Sequence, residues 1–310
     1  MGNEGETMNF REVAEKLKTV CAINITPFTP GTKKIDWEGL KENVEFLLKN
    51  GVKVIVPCGN TGEFYSLTLE EAKQVTRRVV EIVNRRALVV AGIGYSVDTA
   101  VDLGRDAARA GADAVMIHSP IHPYITDRGA VSYFRAIIES LDIPSIVYFK
   151  EAHLSDQVLA QLAPLDKFIG VKYAVNDLPR FAAVVRSIPS EYGLAWICGT
   201  AEKWAPHFYY AGAQGFTSGL VNIAPQKSLD LLQALRNSDH QTVWKIWQEV
   251  LPFENLRAKY NSGNNVVVVK EAMNQIGFRA GVTREPVDPL NEADKAEVTA
   301  ILKSWGFSLS

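Results

Sequence analysis

No run in this 310-residue chain approaches the roughly 20 consecutive apolar residues needed to span a bilayer. It also has no basic cluster and no acidic tail. Lys and Arg number 33 against 35 Asp and Glu, giving a formal net charge of −2 with both signs spread along the chain. Nucleic acid and anionic membrane surfaces are therefore not expected as partners. Cysteine is scarce: Cys21, Cys58 and Cys198 are far apart and odd in number. Each sits in or beside an apolar run, so buried reduced thiols are expected rather than a disulfide framework. The opening MGNEGETMNFREVAEKLK is polar and lacks an apolar signal-peptide core, which leads to an expected cytoplasmic location. A glycine-rich dinucleotide turn is missing as well. The first apolar run ends in Thr26-Pro27-Phe28, and Gly92-Ile93-Gly94 lacks the third glycine and reads as a tight βα turn.

What is present is an alternation. Apolar residues make up 47% of the chain, enough for a large core. Short apolar runs recur at 21–26, 54–57, 88–92, 114–118, 145–148, 168–172, 195–199 and 215–218. Between them lie helically spaced sets such as Leu40, Val44, Leu47 and Leu48, or Ala72, Val75, Val79 and Ile82. Thr68 and Glu71 form a capping box before the second of these, and Gly111 stops the helix carrying Ala100, Leu103, Ala107 and Ala110. Eight strands alternating with eight helices predict an α/β fold, a (β/α)8 TIM barrel over 18–238. From about Asp239 the alternation stops, and 239–310 reads as a C-terminal helical appendage. The β-branched Val266–Val269 has strand propensity but is read as the start of a helix ended by Gly277.

In such a barrel the chemistry sits at the C-terminal ends of the strands. Strand six ends in Gly170-Val171-Lys172, a lysine closing an apolar strand. Burial disfavours the ammonium form, so this lysine could serve as an amine nucleophile, or it could simply snorkel into water. Lys150 and Lys270 follow apolar runs in the same way, and local sequence does not separate the three. Tyr148 ends strand five and could relay protons if its phenol pKa is lowered, or it could be a packed aromatic. After strand two, Gly59-Asn60-Thr61-Gly62-Glu63 can form a tight turn that offers consecutive N–H groups and a hydroxyl to a carboxylate, or it is an ordinary loop. His118 and His122 are four apart, but Pro120 between them argues for a loop, and no metal site is expected.

These residues together resemble the dihydrodipicolinate synthase / N-acetylneuraminate lyase family of class I aldolases and hydro-lyases over nearly the whole chain. The anchors are Thr26-Pro27-Phe28, Gly59-Asn60-Thr61-Gly62-Glu63, Tyr148 and Gly170-Val171-Lys172. The resemblance implies Lys172 as the Schiff-base lysine and Tyr148 as the proton carrier. It implies that Thr61, with the amide of Asn60 or Thr61, holds the carboxylate of a 2-oxo acid substrate. Gly59, Gly199 and Ser218 complete the expected substrate-binding set. No metal or organic cofactor is implied, and a homo-oligomer, a tetramer, is. Thr61–Leu67, Leu251-Pro252-Phe253 with Asn255-Leu256-Arg257, and Arg279–Pro286 look closest to the 5-dehydro-4-deoxyglucarate dehydratase branch. The synthase branch carries an arginine shortly after the strand-five tyrosine, where this chain has His153. It also carries a tyrosine pair after strand four, where this chain has Ile121-His122. The dehydratase branch usually has Asn where Phe149 stands, and Lys-Asp-Gly where Lys172-Tyr173-Ala174 stands. The expected function is a Schiff-base lyase on pyruvate or a 2-oxo sugar acid, of dehydratase type. The alternatives are dihydrodipicolinate synthase, condensing pyruvate with aspartate semialdehyde, and a non-catalytic 2-oxo-acid-binding relative.

Overall fold

The structure, a computed structural model, describes residues 9–310. Eight parallel strands close in sequence order: β1 (Val20–Ala22), β2 (Val54–Ile55), β3 (Leu88–Ile93), β4 (Ala114–Ile117), β5 (Ser145–Phe149), β6 (Phe168–Tyr173), β7 (Ala195–Cys198) and β8 (Gly215–Ser218). A helix α1 (Phe10–Leu17) precedes them. The crossovers are α2 (Trp37–Lys49), α3 (Leu69–Val83), α4 (Val97–Ala110), α5 (Asp127–Ser140), α6 (Gln157–Leu162), α7 (Leu178–Ser187) and α8 (Ala201–Ala211), and α9 (Pro225–Arg236) follows β8. The last three helices are α10 (His240–Ser262, its helical backbone broken by a turn from Lys259 on), α11 (Val267–Gln275) and α12 (Glu292–Ser304). The predicted (β/α)8 barrel with a C-terminal helical portion is thus the observed one. No helix among the described residues is long and apolar enough to cross a membrane.

Local chemistry explains the boundaries. The Asp36 carboxylate accepts from Gly39 N–H at the start of α2. Thr68 and Glu71 make the reciprocal capping box of α3, and Gly111 ends α4 in the left-handed conformation. The β-branched stretch is helical from Val267, with Val266 at the N-cap, as read. Its valines are buried against other helices, where packing outweighs strand propensity. β1 is shorter than the expected 21–26: Ile23 N–H still reaches the Ser218 carbonyl (2.9 Å), and beyond it the Thr26 hydroxyl donates to the carbonyl of Gly62 (2.7 Å). Helix α1 is not anticipated by the sequence reading. The signal is nonetheless there: Asn9 caps the helix, and Val13, Ala14 and Leu17 share one face that clusters with the barrel-interior side chains of Cys21, Val54, Leu88 and Ile146.

Two further hydrophobic clusters complete the molecule. One lies between the strands and the crossover helices. The other joins α10–α12 to Ile25, Leu220 and Ile223 near the C-terminal ends of β1 and β8. This second cluster brings the C-terminal helices to the mouth of the barrel. The three cysteines are free and buried, and burial pushes each thiol up to about 12, so none is an available nucleophile.

Candidate active site

Barrel register decides which strand-end residues meet. Parallel pairing sets Tyr148 of β5 opposite Lys172 of β6, and Lys172 opposite Ile197 of β7. Residues opposite each other on neighbouring strands face the same side of a pleated sheet, here the barrel interior. Accordingly the Lys172 amine lies 3.9 Å from the centroid of the Tyr148 ring. Lys172 is 4% exposed, and both residues line an open cavity of about 830 Å³ at the barrel mouth. Burial, helped by the charge of Lys150, pushes the Lys172 ammonium down from 10.5 to about 8.

The three rival lysines now separate. Lys270 belongs to a helix, pairs with the buried Glu63 carboxylate, donates to the carbonyl of Val282 (2.7 Å) and sits 4.3 Å from the Phe28 ring centroid. It is a structural cation. The Lys150 side chain is 38% exposed and lies 3.7 Å from Glu151 at the cavity rim. Lys172 alone of the three has an interior amine without a carboxylate ion-pair partner among the described residues.

For Tyr148, the lowering on which proton relay is conditional is not found in the resting site. Burial, with Glu151 nearby, pushes the phenol up to about 12, so it stands as a neutral hydroxyl. The Asn60 side-chain amide donates to that hydroxyl at 3.3 Å. Thr61 is buried and lines the cavity with Asn60. Among the described residues, no partner is found for the Thr61 hydroxyl or for the amides of Asn60 and Thr61. Gly199 and Ser218 also line the cavity. A Cβ at position 199 would stand 2.9 Å from the carbonyl oxygen of Tyr173 and 3.1 Å from Lys172 Cγ, so only glycine leaves the lysine its place. Gly59 is not part of the cavity lining. It packs against Ile23, whose Cγ2 a Cβ would meet at 2.5 Å, and so shapes the turn from behind.

The Gly59–Glu63 turn is clamped from outside the barrel. Glu63 adopts a left-handed backbone, φ 56°, and its carboxylate takes both Lys270 and the amide of Arg284 (3.0 Å). Arg284 in turn forks onto Glu71, 2.7 Å to each oxygen, with its guanidinium 4.1 Å from the Phe28 ring centroid. Sequence reading found the turn but missed the clamp, because its cations lie more than 200 residues away. Replacing Glu63 by alanine strands a buried ammonium. The expected cost is about 3–5 kcal/mol of unfolding free energy, read by chemical denaturation. A loss below about 1 kcal/mol would contradict this role.

His118 and His122 occupy different surroundings. His118 is buried, stacked on Phe64 at 4.5 Å, with Nε2 2.9 Å from the carbonyl of Cys58, and burial pushes its imidazole down to about 3. His122 is exposed and accepts from the Tyr124 amide (3.1 Å). Among the described residues, no group of three or more His, Cys, Asp or Glu could hold a metal. His153 is exposed and outside the cavity lining, so it does not stand in for an arginine clamp. Cavity residues that the sequence reading did not single out for the site include Glu254 and Arg257 of α10. A signal existed: with Val250, Phe253 and Leu256 they share the buried, helically spaced face of α10.

A closed parallel barrel with a desolvated lysine amine at its mouth fits a class I, aldolase-type lyase, and the family match makes the chain a member of that class. The dihydrodipicolinate synthetase family model matches residues 16–305, and the chain belongs to that family. A 4-hydroxy-tetrahydrodipicolinate synthase of Geobacter sulfurreducens is 33% identical over 292 residues, covering 93% of this chain and 98% of that protein. The solved dihydrodipicolinate synthase of Oceanobacillus iheyensis is 63% identical, with TM-score 0.95, covering 96% of this chain and 99% of the other. That of Bacillus clausii is 61% identical, with TM-score 0.94, covering 95% and 100%.

Proposed function

We propose that Lys172 forms a Schiff base with the ketone of pyruvate or a larger 2-oxo acid, and that the resulting enamine carries a lyase-type reaction. The observation that carries this reading is the Lys172 amine, buried beside Tyr148 in an open cavity and free of a carboxylate partner. Attack of Nζ on C2 gives a carbinolamine. Loss of its hydroxyl as water gives the iminium, and loss of a proton from C3 gives the enamine. The enamine carbon can bond to an aldehyde carbon, whose oxygen takes up a proton, and water then releases the product and the free amine. Thr61, with the amides of Asn60 and Thr61, holds the 2-oxo acid carboxylate. Tyr148 moves the protons. The iminium charge forms beside its ring and lowers the phenol from its resting value, while the Asn60 amide steadies the phenolate oxygen.

Relatives named as synthases support condensation of pyruvate with an aldehyde such as aspartate semialdehyde, which the sequence reading held as its alternative. The 5-dehydro-4-deoxyglucarate dehydratase reading has no relative behind it among these. It rests on the stretches Thr61–Leu67, Leu251–Arg257 and Arg279–Pro286, while the lack of an arginine shortly after Tyr148 speaks against the synthase rather than for it. The two are tested in parallel. Pyruvate consumption dependent on aspartate semialdehyde supports the synthase, and dehydration with release of carbon dioxide from 5-dehydro-4-deoxyglucarate supports the other. A homo-oligomer, a tetramer by the family resemblance, is part of the proposal; exposed Ile121 and Tyr124 on the loop after β4 offer apolar surface to a subunit contact, and light scattering checks the state.

The lowered lysine gives a pH signature. With a value of about 8, roughly a tenth of Lys172 is free amine at pH 7, about 300-fold more than for an ordinary lysine. The initial rate of borohydride-trappable adduct formation with pyruvate is expected to climb nearly tenfold per pH unit below 8 and to level off above it. A rate still climbing at pH 10 would contradict the desolvated amine.

A further inference from the structure

We infer that Arg257 is the specificity-determining residue for a second carboxylate, held in the cavity that Lys172 also lines; this rests on the Schiff-base reading above. Arg257 is 4% exposed and lies on the barrel-facing side of α10. Its guanidinium sits over the end of β8, where a Cβ on Gly219 would stand 2.6 Å from Nη2. Glycine at 219 therefore makes room for the guanidinium at the mouth of the barrel. Three of its five N–H donors are committed: Nη1 to Glu254 (2.7 Å), Nη2 to the Asn265 side chain (2.7 Å), and Nε to the Asn265 carbonyl (3.2 Å). One donor on each terminal nitrogen is left, which is the pair a carboxylate takes in fork geometry.

The surroundings favour an anion. Of the charged residues lining the cavity, Lys150 is paired with Glu151 and Arg257 with Glu254, which leaves Lys172 and Lys203 as cations without a carboxylate partner among the described residues. Glu202, next to the Glu254–Arg257 pair, is pushed up by burial and by the Glu254 charge, so it adds less negative charge than an ordinary carboxylate. It accepts a hydrogen bond from Ser228, whose hydroxyl lies 3.3 Å from that of Ser218. The turn that brings Asn265 to Arg257 has three successive non-glycine residues at positive φ: Tyr260, Asn261 and Ser262. Such a conformation costs free energy and persists where its surroundings hold it, as Asn265 and Arg257 do here. A cavity of about 830 Å³ is far larger than a three-carbon acid fills. The ligand this geometry fits has a 2-oxo acid end at Lys172 and a carboxylate several carbons away. That carboxylate belongs either to the same molecule or to an acceptor aldehyde.

The test compares wild type with Arg257→Lys, which keeps the charge and loses the fork, and with Glu254→Gln/Arg257→Gln, which removes the buried pair without stranding a charge. Half-trapping concentrations under borohydride are measured for pyruvate, 2-oxohexanoate and 2-oxoadipate. KM values for aspartate semialdehyde and for pyruvate are measured alongside. If the carboxylate is on the oxo acid, wild type prefers 2-oxoadipate over 2-oxohexanoate by about 10- to 100-fold, and both variants lose that preference. If it is on the acceptor, the KM for aspartate semialdehyde rises by a similar factor relative to that for pyruvate. Arg257 as a mere staple of the 260–265 turn predicts neither change in ratio, or a parallel weakening with every ligand, and either result overturns the inference. No adduct from any acid in wild type would sink the Schiff-base reading instead. Calorimetric binding of 2-oxoadipate against 2-oxohexanoate then judges Arg257 separately: a preference lost in the variants sustains its role, and equal binding ends it.

Discussion

Lys172→Ala is expected to abolish turnover, by on the order of 10⁴-fold or more, and to remove every borohydride-trapped adduct. The physical ground is the separation of three lysines by their surroundings. Lys270 is locked into an ion pair and a backbone bond, and Lys150 is a solvated rim cation. Burial lowers Lys172 and Lys270 alike to about 8, so what sets Lys172 apart is position: its amine stands beside Tyr148 in the open cavity with no carboxylate partner among the described residues. Removing it deletes no ion pair, so the barrel is expected to stay folded, with circular dichroism and melting temperature close to wild type. Intact-mass analysis after reduction with pyruvate reads the adduct directly. Lys150→Ala is the matched control and is expected to keep it. An adduct that survives in Lys172→Ala, or activity within tenfold of wild type, would end the assignment.

Tyr148→Phe is expected to lower turnover by about 10²- to 10⁴-fold, the usual weight of a positioned proton carrier. Its trapped pyruvate adduct is nonetheless expected to form, because the amine is intact. The two readouts therefore split. Exchange of the C3 protons of pyruvate into deuterium oxide, followed by NMR, should fall with turnover, since it reports enamine formation rather than Schiff-base formation. The substitution leaves the ring and its packing in place and removes the hydroxyl that accepts from Asn60. A loss smaller than tenfold in both turnover and exchange would assign the proton transfers to another group or to water. The neutral, raised phenol of the resting site makes the point sharper: Tyr148 cannot act as a standing base and must be switched on by the iminium charge beside it.

The sequence by itself determined the alternation of eight strands and helices, because apolar period and capping chemistry are local. Thr68 with Glu71, and Gly111 after α4, act over three or four residues and were legible as they stand. It also determined which strand ends carry chemistry-bearing side chains. What it could not supply was a choice among Lys150, Lys172 and Lys270. That choice is made by barrel register, which sets Lys172 opposite Tyr148, and by the distant Glu63, which claims Lys270. The sign of the Tyr148 shift was likewise a tertiary fact, since it depends on what encloses the hydroxyl and not on its neighbours in sequence. Arg257 and its seat over Gly219 came from the docking of α10 across the barrel mouth. Electrostatic environment is set by distances through space, and those exist only once the chain has closed on itself.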